Sequence, residues 1–324
     1  IKHRAGSYNI YATDGTIAAF QRLFNAAMVG FATDEAYYRS QGINPVTLQP
    51  DPENYERLVD VDNVIDFMAS VFITGDRDAP ICCNNSRVNN FYGIYNRVNP
   101  DGWKWFRHDG EHSLDTGMDD RTGPWTHTNF TYLNYFNPQT LHEKLTQHPD
   151  YRMRFADAVH KSFHNGGVYD APTAQASIDA RAEMIDMAII AESARWGDSK
   201  RSTPYTKSTW EGAVNSVKNF FNNRIPTVIA QLQADGWYPT VNEPSFNING
   251  TYQHGGTIDA GDDLTIDVPG GTTVYYTLDG TDPREPGGGI AAGALTYSGA
   301  VDLATSTRVL ARARTGGGEW SALN

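Results

Sequence analysis

The chain changes period near residue 240. Before that point apolar side chains recur every three or four residues; after it, short runs such as TVYYTL (273–278) and STRVLARAR (306–314) alternate between Gly, Asp and Pro turns. A period near 3.6 suits helices packing on one face, and a period of 2 suits sheets, so the sequence specifies an α+β chain in two parts. Charge changes at the same place. Residues 243–324 hold four Arg, no Lys and ten acids, which makes 4 − 10 = −6 of the total −12. Between the two parts lies ADGWYPTVNEPSFN (234–247), where Pro239 and Pro244 stop a helix and favour extended backbone. The reading divides the chain into a helical unit, 1–240, and a small antiparallel β-sandwich, 241–324.

Within the first unit, Ile17, Phe20, Phe24, Ala27 and Met28 fit one buried helical face, with Thr13 or Asp14 as its cap. Val61, Val64, Ile65, Met68 and Phe72 repeat that spacing. Longer amphipathic stretches run through 151–164, 173–194 and 208–235, the last expected to break or kink at Pro226, and all are expected to bundle into one body. One hairpin interrupts the helices: VNNFYGIYNRV (88–98) and WKWFRH (103–108) flank the turn Asn99-Pro100-Asp101-Gly102.

A net charge of −12 argues against a phosphate-backbone binder, so no nucleic acid partner is expected. No apolar run approaches the roughly 20 residues that span a bilayer. The opening IKHRAGSYNI has no signal-peptide core and reads as the middle of something longer. Cys82 and Cys83 are adjacent, so they cannot staple distant segments; two thiols are the simpler expectation, a vicinal disulfide the other.

The chemistry-bearing residues flank the hairpin. TGDRDAP places Asp76 and Asp78 just past a helix end, Asn89 and Asn90 open the first strand, and RHDGEH places Asp109 and Glu111 after the second. A hairpin brings its ends together, so these groups can converge. Carboxylates and amide oxygens are hard ligands suited to Mg²⁺ or Mn²⁺. Loop Asp, Asn, hairpin, then a metal-binding Asp is also the order of parts in a protein-kinase catalytic lobe. The alternative is that these acids cap turns and make surface ion pairs.

YERLVDVDNVIDFMASVFITGDRDAPI, NNFYGIYN, DGWKWFRHDGEHSL, DRTGPW, FADAVHKSFHNGG and AIIAESARWGD together resemble the CotH (spore coat protein H) kinase family, in its secreted bacterial type. VYYTLDGTDPRE, YSGAVDL, STRVLARAR and GGEWSAL are similar to a chitobiase/β-hexosaminidase C-terminal-like domain. The resemblance implies a body like a kinase C-lobe followed by an immunoglobulin-like sandwich, and phosphoryl transfer from ATP with Mg²⁺ or Mn²⁺. It further implies a secreted or surface protein as acceptor, a secreted or cell-surface location, and carbohydrate or cell-wall contact through the second domain. By motif, Asp78 falls on the catalytic-loop Asp, Asn90 on the metal-binding Asn, Asp109 on the metal-binding Asp, and Glu111 where many relatives carry a second Asp. Asp76 and Asn89 are shifted alternatives, because the insert ICCNNSRV lengthens the catalytic loop. Relatives begin with a β-rich part supplying a nucleotide-contacting Lys and its Glu; the chain reads as starting after it, and so as a poor kinase by itself. A catalytically silent extracellular scaffold or adhesion protein is the second reading.

Other patterns compete. His108-Asp109-Gly110-Glu111-His112 matches H-x-x-E-H, a zinc signature that requires a helix, whereas here it follows a strand and has Gly at its centre. His160 and His164 share a helix face and are expected to serve packing or the surface. ESARWGD (192–198) reads as a helix end. Asn84-Asn85-Ser86, Asn129-Phe130-Thr131 and Asn249-Gly250-Thr251 fit a glycan sequon of low specificity. Tyr252, Tyr275, Trp320 and Trp237 are candidate carbohydrate platforms, with sandwich core or domain interface as the plainer role.

Overall fold

The computed structural model describes residues 1–4, 9–82, 84–115, 117–259 and 261–324. In chain order the first unit contains β1 (Lys2–Arg4), β2 (Asn9–Tyr11), α1 (Ala18–Val29), α2 (Asp34–Ser40), α3 (Val61–Thr74), β3 (Ile81–Cys82), β4 (Arg87–Val88), β5 (Phe91–Ile94), β6 (Lys104–Arg107), α4 (Pro138–Leu145), α5 (Pro149–Phe163), α6 (Ala171–Trp196) and α7 (Lys207–Ala234).

Helix α3 is the axis of this body. Asp60 caps its start by accepting the Asn63 N–H at 3.3 Å, and Gly75, at φ 62°, ends it in the left-handed conformation that glycine adopts without cost. Its stripe Val61, Val64, Ile65, Met68 and Phe72 is buried throughout. Removing those side chains from water, at roughly 25 cal/mol per Å² of apolar surface, is what holds the short helices around it. Helix α1 buries Phe20, Leu23 and Ala27, but no side chain caps it: Asp14 instead closes its own turn on the Gly15 N–H at 2.8 Å, and the helix starts later than the sequence suggests.

Strands β5 and β6 pair antiparallel with Phe91 opposite Arg107 and Ile94 opposite Lys104. The hairpin is not isolated, because β1 and β2 extend it into a four-stranded sheet of order β2-β1-β5-β6. Trp103 and Trp105 stack with centroids 5.6 Å apart, and Phe20 meets Trp103 edge-on at 5.6 Å. The Asn63 amide binds the Trp105 backbone in both directions, which fixes the hairpin to α3. At the turn, Gly102 has φ +87°, and a Cβ there would lie 2.4 Å from the Asp60 nitrogen. Only glycine fits this close approach.

Two long helices depart from the expected bundle. Helix α7 runs unbroken through Pro226, because Phe221, Arg224, Ile225, Val228 and Leu232 on both sides of the proline are buried in the body. Helix α6 packs on α7 and buries only Ala174, so most of it stands outside the core. His142 and Glu143 on α4 are both largely buried. Burial lowers the His142 pKa to about 3 and raises that of Glu143 to about 8. The Glu143 carboxyl accepts the Trp125 N–H at 3.0 Å, and His142 Nδ1 lies 2.7 Å from the Tyr151 hydroxyl.

The second unit holds β7 (Ser245–Ile248), β8 (Thr251–Tyr252), β9 (Asp263–Asp267), β10 (Thr272–Thr277), β11 (Leu295–Thr296), β12 (Val301–Asp302) and β13 (Leu310–Thr315). Sheets β11-β10-β13 and β12-β9-β7-β8 face each other across Phe246, Leu264, Ile266, Val274, Ala311 and Ala313. That is an all-β sandwich beside a mostly helical body. The units meet along α5. Arg312, fully buried, donates to both oxygens of Asp157 at 2.6 and 2.7 Å and to both oxygens of Asp282 at 2.7 Å. Arg284 reaches Asp150 at 2.6 Å, and His160 Nε2 lies 3.3 Å from the Asn324 amide oxygen. His160 is therefore a buried interface residue rather than a surface one, with the His164 ring 4.9 Å away. Trp237 and Trp320 are buried, the former against Phe72 and His142, the latter donating to the Gly288 carbonyl, so neither offers a platform; Tyr252 is exposed. Among the described residues, no helix is long and apolar enough to cross a membrane.

Candidate functional site

The loop that leaves α3 is built on Asp76. This carboxylate is fully buried; Oδ1 accepts the backbone N–H of Asp78 at 2.9 Å and of Ala79 at 3.1 Å, while Oδ2 pairs with Arg107 on β6. Arg107 also donates to the Ser70 carbonyl at 3.2 Å and the Thr74 hydroxyl at 3.1 Å. Asp76 thus holds the loop, and it leaves Asp78 as the half-buried carboxylate facing outward. From the other side Arg224, fully buried on α7, donates to the carbonyls of Ile73 at 3.0 Å, Phe72, and Gly117 at 2.9 Å. It covers the last carbonyls of α3, where a cation is also favoured by the helix dipole. Burial lowers its pKa to about 10, so it remains charged at neutral pH.

The hairpin supplies the second wall. Asp78 Oδ2 accepts the side-chain amides of both Asn89 and Asn90 at 2.8 Å, and the Asn90 amide also reaches the Asp109 carbonyl at 3.3 Å. Asn90 and Asp109 have φ values of 50° and 56°, a left-handed conformation that Asn and Asp tolerate better than other side-chain-bearing residues. The two turns bring the hairpin ends against the Asp78 loop. The segment after β6 is stitched back onto α3 by Arg77 N–H to the His112 carbonyl (3.1 Å) and Leu114 N–H to the Thr74 carbonyl (2.8 Å).

Among the described residues, one ligand atom each from Asp78, Glu111 and His112 lie within 4.8 Å of one another. The geometry joins Glu111 to Asp78, reaches Asn90 through Asp78, and adds His112. The exposed Asp109 carboxylate is not in that group; only its backbone carbonyl faces Asn90. His108 packs edge-on against Tyr92, 5.0 Å between centroids, and residues 108–112 form no helix, so the two histidines of H-x-x-E-H do not converge. Two carboxylates suit Mg²⁺ or Mn²⁺, and the imidazole is a softer donor than Mg²⁺ prefers. The donor set fits a divalent cation, Mn²⁺ better than Mg²⁺.

The insert ICCNNSRV folds as a tight hairpin in which β3 and β4 pair Ile81 with Val88 and Cys82 with Arg87. Asn84 and Asn85 at its tip have φ of 55° and 57°. Arg121, buried in DRTGPW, donates to the Ile81 carbonyl at 2.7 Å and the Asn85 amide oxygen at 3.0 Å, so the insert is tied to the body beside the site. Cys82 is buried; Cys83, and with it the state of the cysteine pair, lies outside the described residues.

Arg107, Arg121 and Arg224 escaped the sequence reading. Arg224 carried a signal: it interrupts the apolar stripe Phe220, Phe221, Ile225, Val228 and Leu232, and a cation on a buried stripe needs partners. For Arg107 and Arg121 no local pattern marks the role.

The chain is thus α+β, a helical body with a hairpin-flanked acidic site followed by an all-β sandwich. The family model of the CotH kinase protein matches residues 40–228, more than half of the chain, and that of the chitobiase/beta-hexosaminidase C-terminal domain matches residues 253–323. The chain belongs to the CotH kinase family. No curated protein and no solved structure matches it.

Proposed function

We propose that the protein is a secreted, atypical kinase that transfers phosphate from ATP to a hydroxyl of a secreted or surface protein, with Mg²⁺ or Mn²⁺. Asp78 is the catalytic carboxylate: it is held at the site mouth by the Asp76 turn and by two asparagine amides, and it orients and accepts the proton of the acceptor hydroxyl. Glu111 and His112, which converge with Asp78, would hold the metal, and Asn90 and Asp109 are assigned to it by the family motif, the Asp109 carboxylate lying outside the converging group. A bound divalent cation would neutralise phosphate charge there. The observation that carries this reading is the convergence of Asp78, Glu111 and His112 in a chain of this family.

One feature favours a scaffold without catalysis: Asp78 Oδ2 already accepts two amides, as a purely structural carboxylate would. Titration of the protein with Mn²⁺ and ATP separates the two. A catalytic site gives nucleotide binding that requires the metal and is weakened at least about tenfold in Glu111→Gln. A scaffold gives no metal-dependent binding.

A further inference from the structure

The side chain of Asp78 is held by one of its two oxygens. Oδ2 takes the side-chain amides of Asn89 and Asn90, each at 2.8 Å, while among the described residues Oδ1 takes no hydrogen bond. Because an ionised carboxylate only accepts, both asparagines turn their NH₂ groups toward it. The sharing of one oxygen has a backbone cause. Successive residues of an extended chain point to opposite sides, so neighbours do not normally meet at one atom. Asn90, at φ 50° between β4 and β5, breaks that alternation, and its carbonyl is held by the His108 N–H at 3.2 Å. Asn89 is fixed from the other direction, its N–H donating to the Pro80 carbonyl at 3.0 Å.

The two amides are not equivalent. That of Asn90 also donates to the Asp109 carbonyl at 3.3 Å, which ties it to the loop carrying Glu111 and His112. Asn89 makes no other side-chain hydrogen bond among the described residues, so its polar group serves Asp78 alone. The terminal torsion of an aspartate is broad and two-fold, and a single amide would let the carboxylate swing or exchange its oxygens. Two amides from adjacent residues pinch Oδ2. Oδ1 is then the atom left to take a proton from an acceptor hydroxyl.

We propose that Asn89 is a positioning residue for phosphate transfer: it acts through Asp78, fixing which carboxylate oxygen accepts the proton, and takes no part in holding the metal. The role rests on the reading of Asp78 as the proton-accepting carboxylate, and it separates Asn89 from the metal-binding position for which the sequence offered it as an alternative. The full chain, assayed with ATP, Mn²⁺ and secreted proteins as acceptors, tests it. Asn89→Ala lowers kcat at least about tenfold, part of what a general base contributes, with KM for ATP unchanged. Its Mn²⁺ affinity, titrated without nucleotide, stays within about twofold of the parent value, which also shows the site to be folded, whereas Glu111→Gln lowers that affinity at least about tenfold. Asn89→Gln keeps an amide donor and recovers part of kcat; Asn89→Asp sets a second carboxylate against Asp78 and loses more than Asn89→Ala. A kcat equal to the parent's in Asn89→Ala overturns the proposal while leaving the kinase reading intact. So does a fall in kcat matched by an equal fall in Mn²⁺ affinity, the behaviour of a metal ligand. A parent chain that transfers no phosphate overturns both.

Discussion

Arg312 of the sandwich and Asp157 of helix α5 form a bidentate ion pair with the guanidinium fully buried. Burial by itself would lower the Arg312 pKa; hydrogen bonds to Asp282 and the charge of Asp157 more than offset it. The same burial raises the pKa of Asp157, but a neighbouring guanidinium that does not deprotonate keeps the pair ionised. Replacing Arg312 by Met leaves Asp157 buried and unpaired. The expected cost is about 3 kcal/mol, the low end for a buried pair, because Asp282 is about a third exposed. Urea unfolding of Arg312→Met gives a lower midpoint; an unchanged midpoint would mean that the two units do not stabilise each other through this contact.

The hairpin turn presses on the cap of α3 at Gly102. Gly102→Ala must move backbone, since the new Cβ would meet Asp60 N and Val59 C at 2.4 and 2.7 Å, and the φ of +87° is strained for alanine. A loss of more than about 1 kcal/mol is expected, with a lower melting temperature. Gly166→Ala, also at positive φ but with open space around it, serves as the control for conformational strain alone.

Two adjacent buried groups shape the pH dependence of stability. The folded pKa of Glu143 is raised from 4.5 to about 8, so its contribution is fully present below about pH 4.5 and is lost as pH rises through 8. The folded pKa of His142 is lowered from 6.5 to about 3, so its contribution is present above about pH 6.5 and is lost as pH falls toward 3. Melting temperature therefore falls on both sides of a maximum near pH 5–6. Glu143→Gln flattens the alkaline limb and His142→Gln the acid limb; limbs that survive these changes would place the titration elsewhere.

The change of period at residue 240, the α3 stripe and the hairpin with its Asn-Pro-Asp-Gly turn are local patterns, and sequence carries local patterns well. That Asp78, Asn90 and Glu111 come close together was legible because they flank one hairpin. What sequence did not carry were pairings across long separations: Asp76 with Arg107, Arg224 with the end of α3, Arg312 with Asp157. Each depends on which helix packs where. The strands β1 and β2 were missed for a related reason: three residues each are too short to show a period, and their pairing with β5 is what makes them strands. The unbroken course of α7 through Pro226 likewise reflects burial on both sides of the proline, which outweighs a local preference.

The kinase reading rests on the Asp78 constellation, and phosphate transfer tests it most directly. With the chain as its gene encodes it, labelled ATP, Mn²⁺ or Mg²⁺ and secreted proteins as acceptors, the account predicts transfer that a chelator abolishes. Asp78→Asn and Asp109→Asn each reduce it at least about 100-fold, and Asp109→Asn, at an exposed position, leaves the melting temperature unchanged. Absence of transfer and of metal-dependent nucleotide binding, or equal transfer by the parent and by Asp78→Asn, would contradict it.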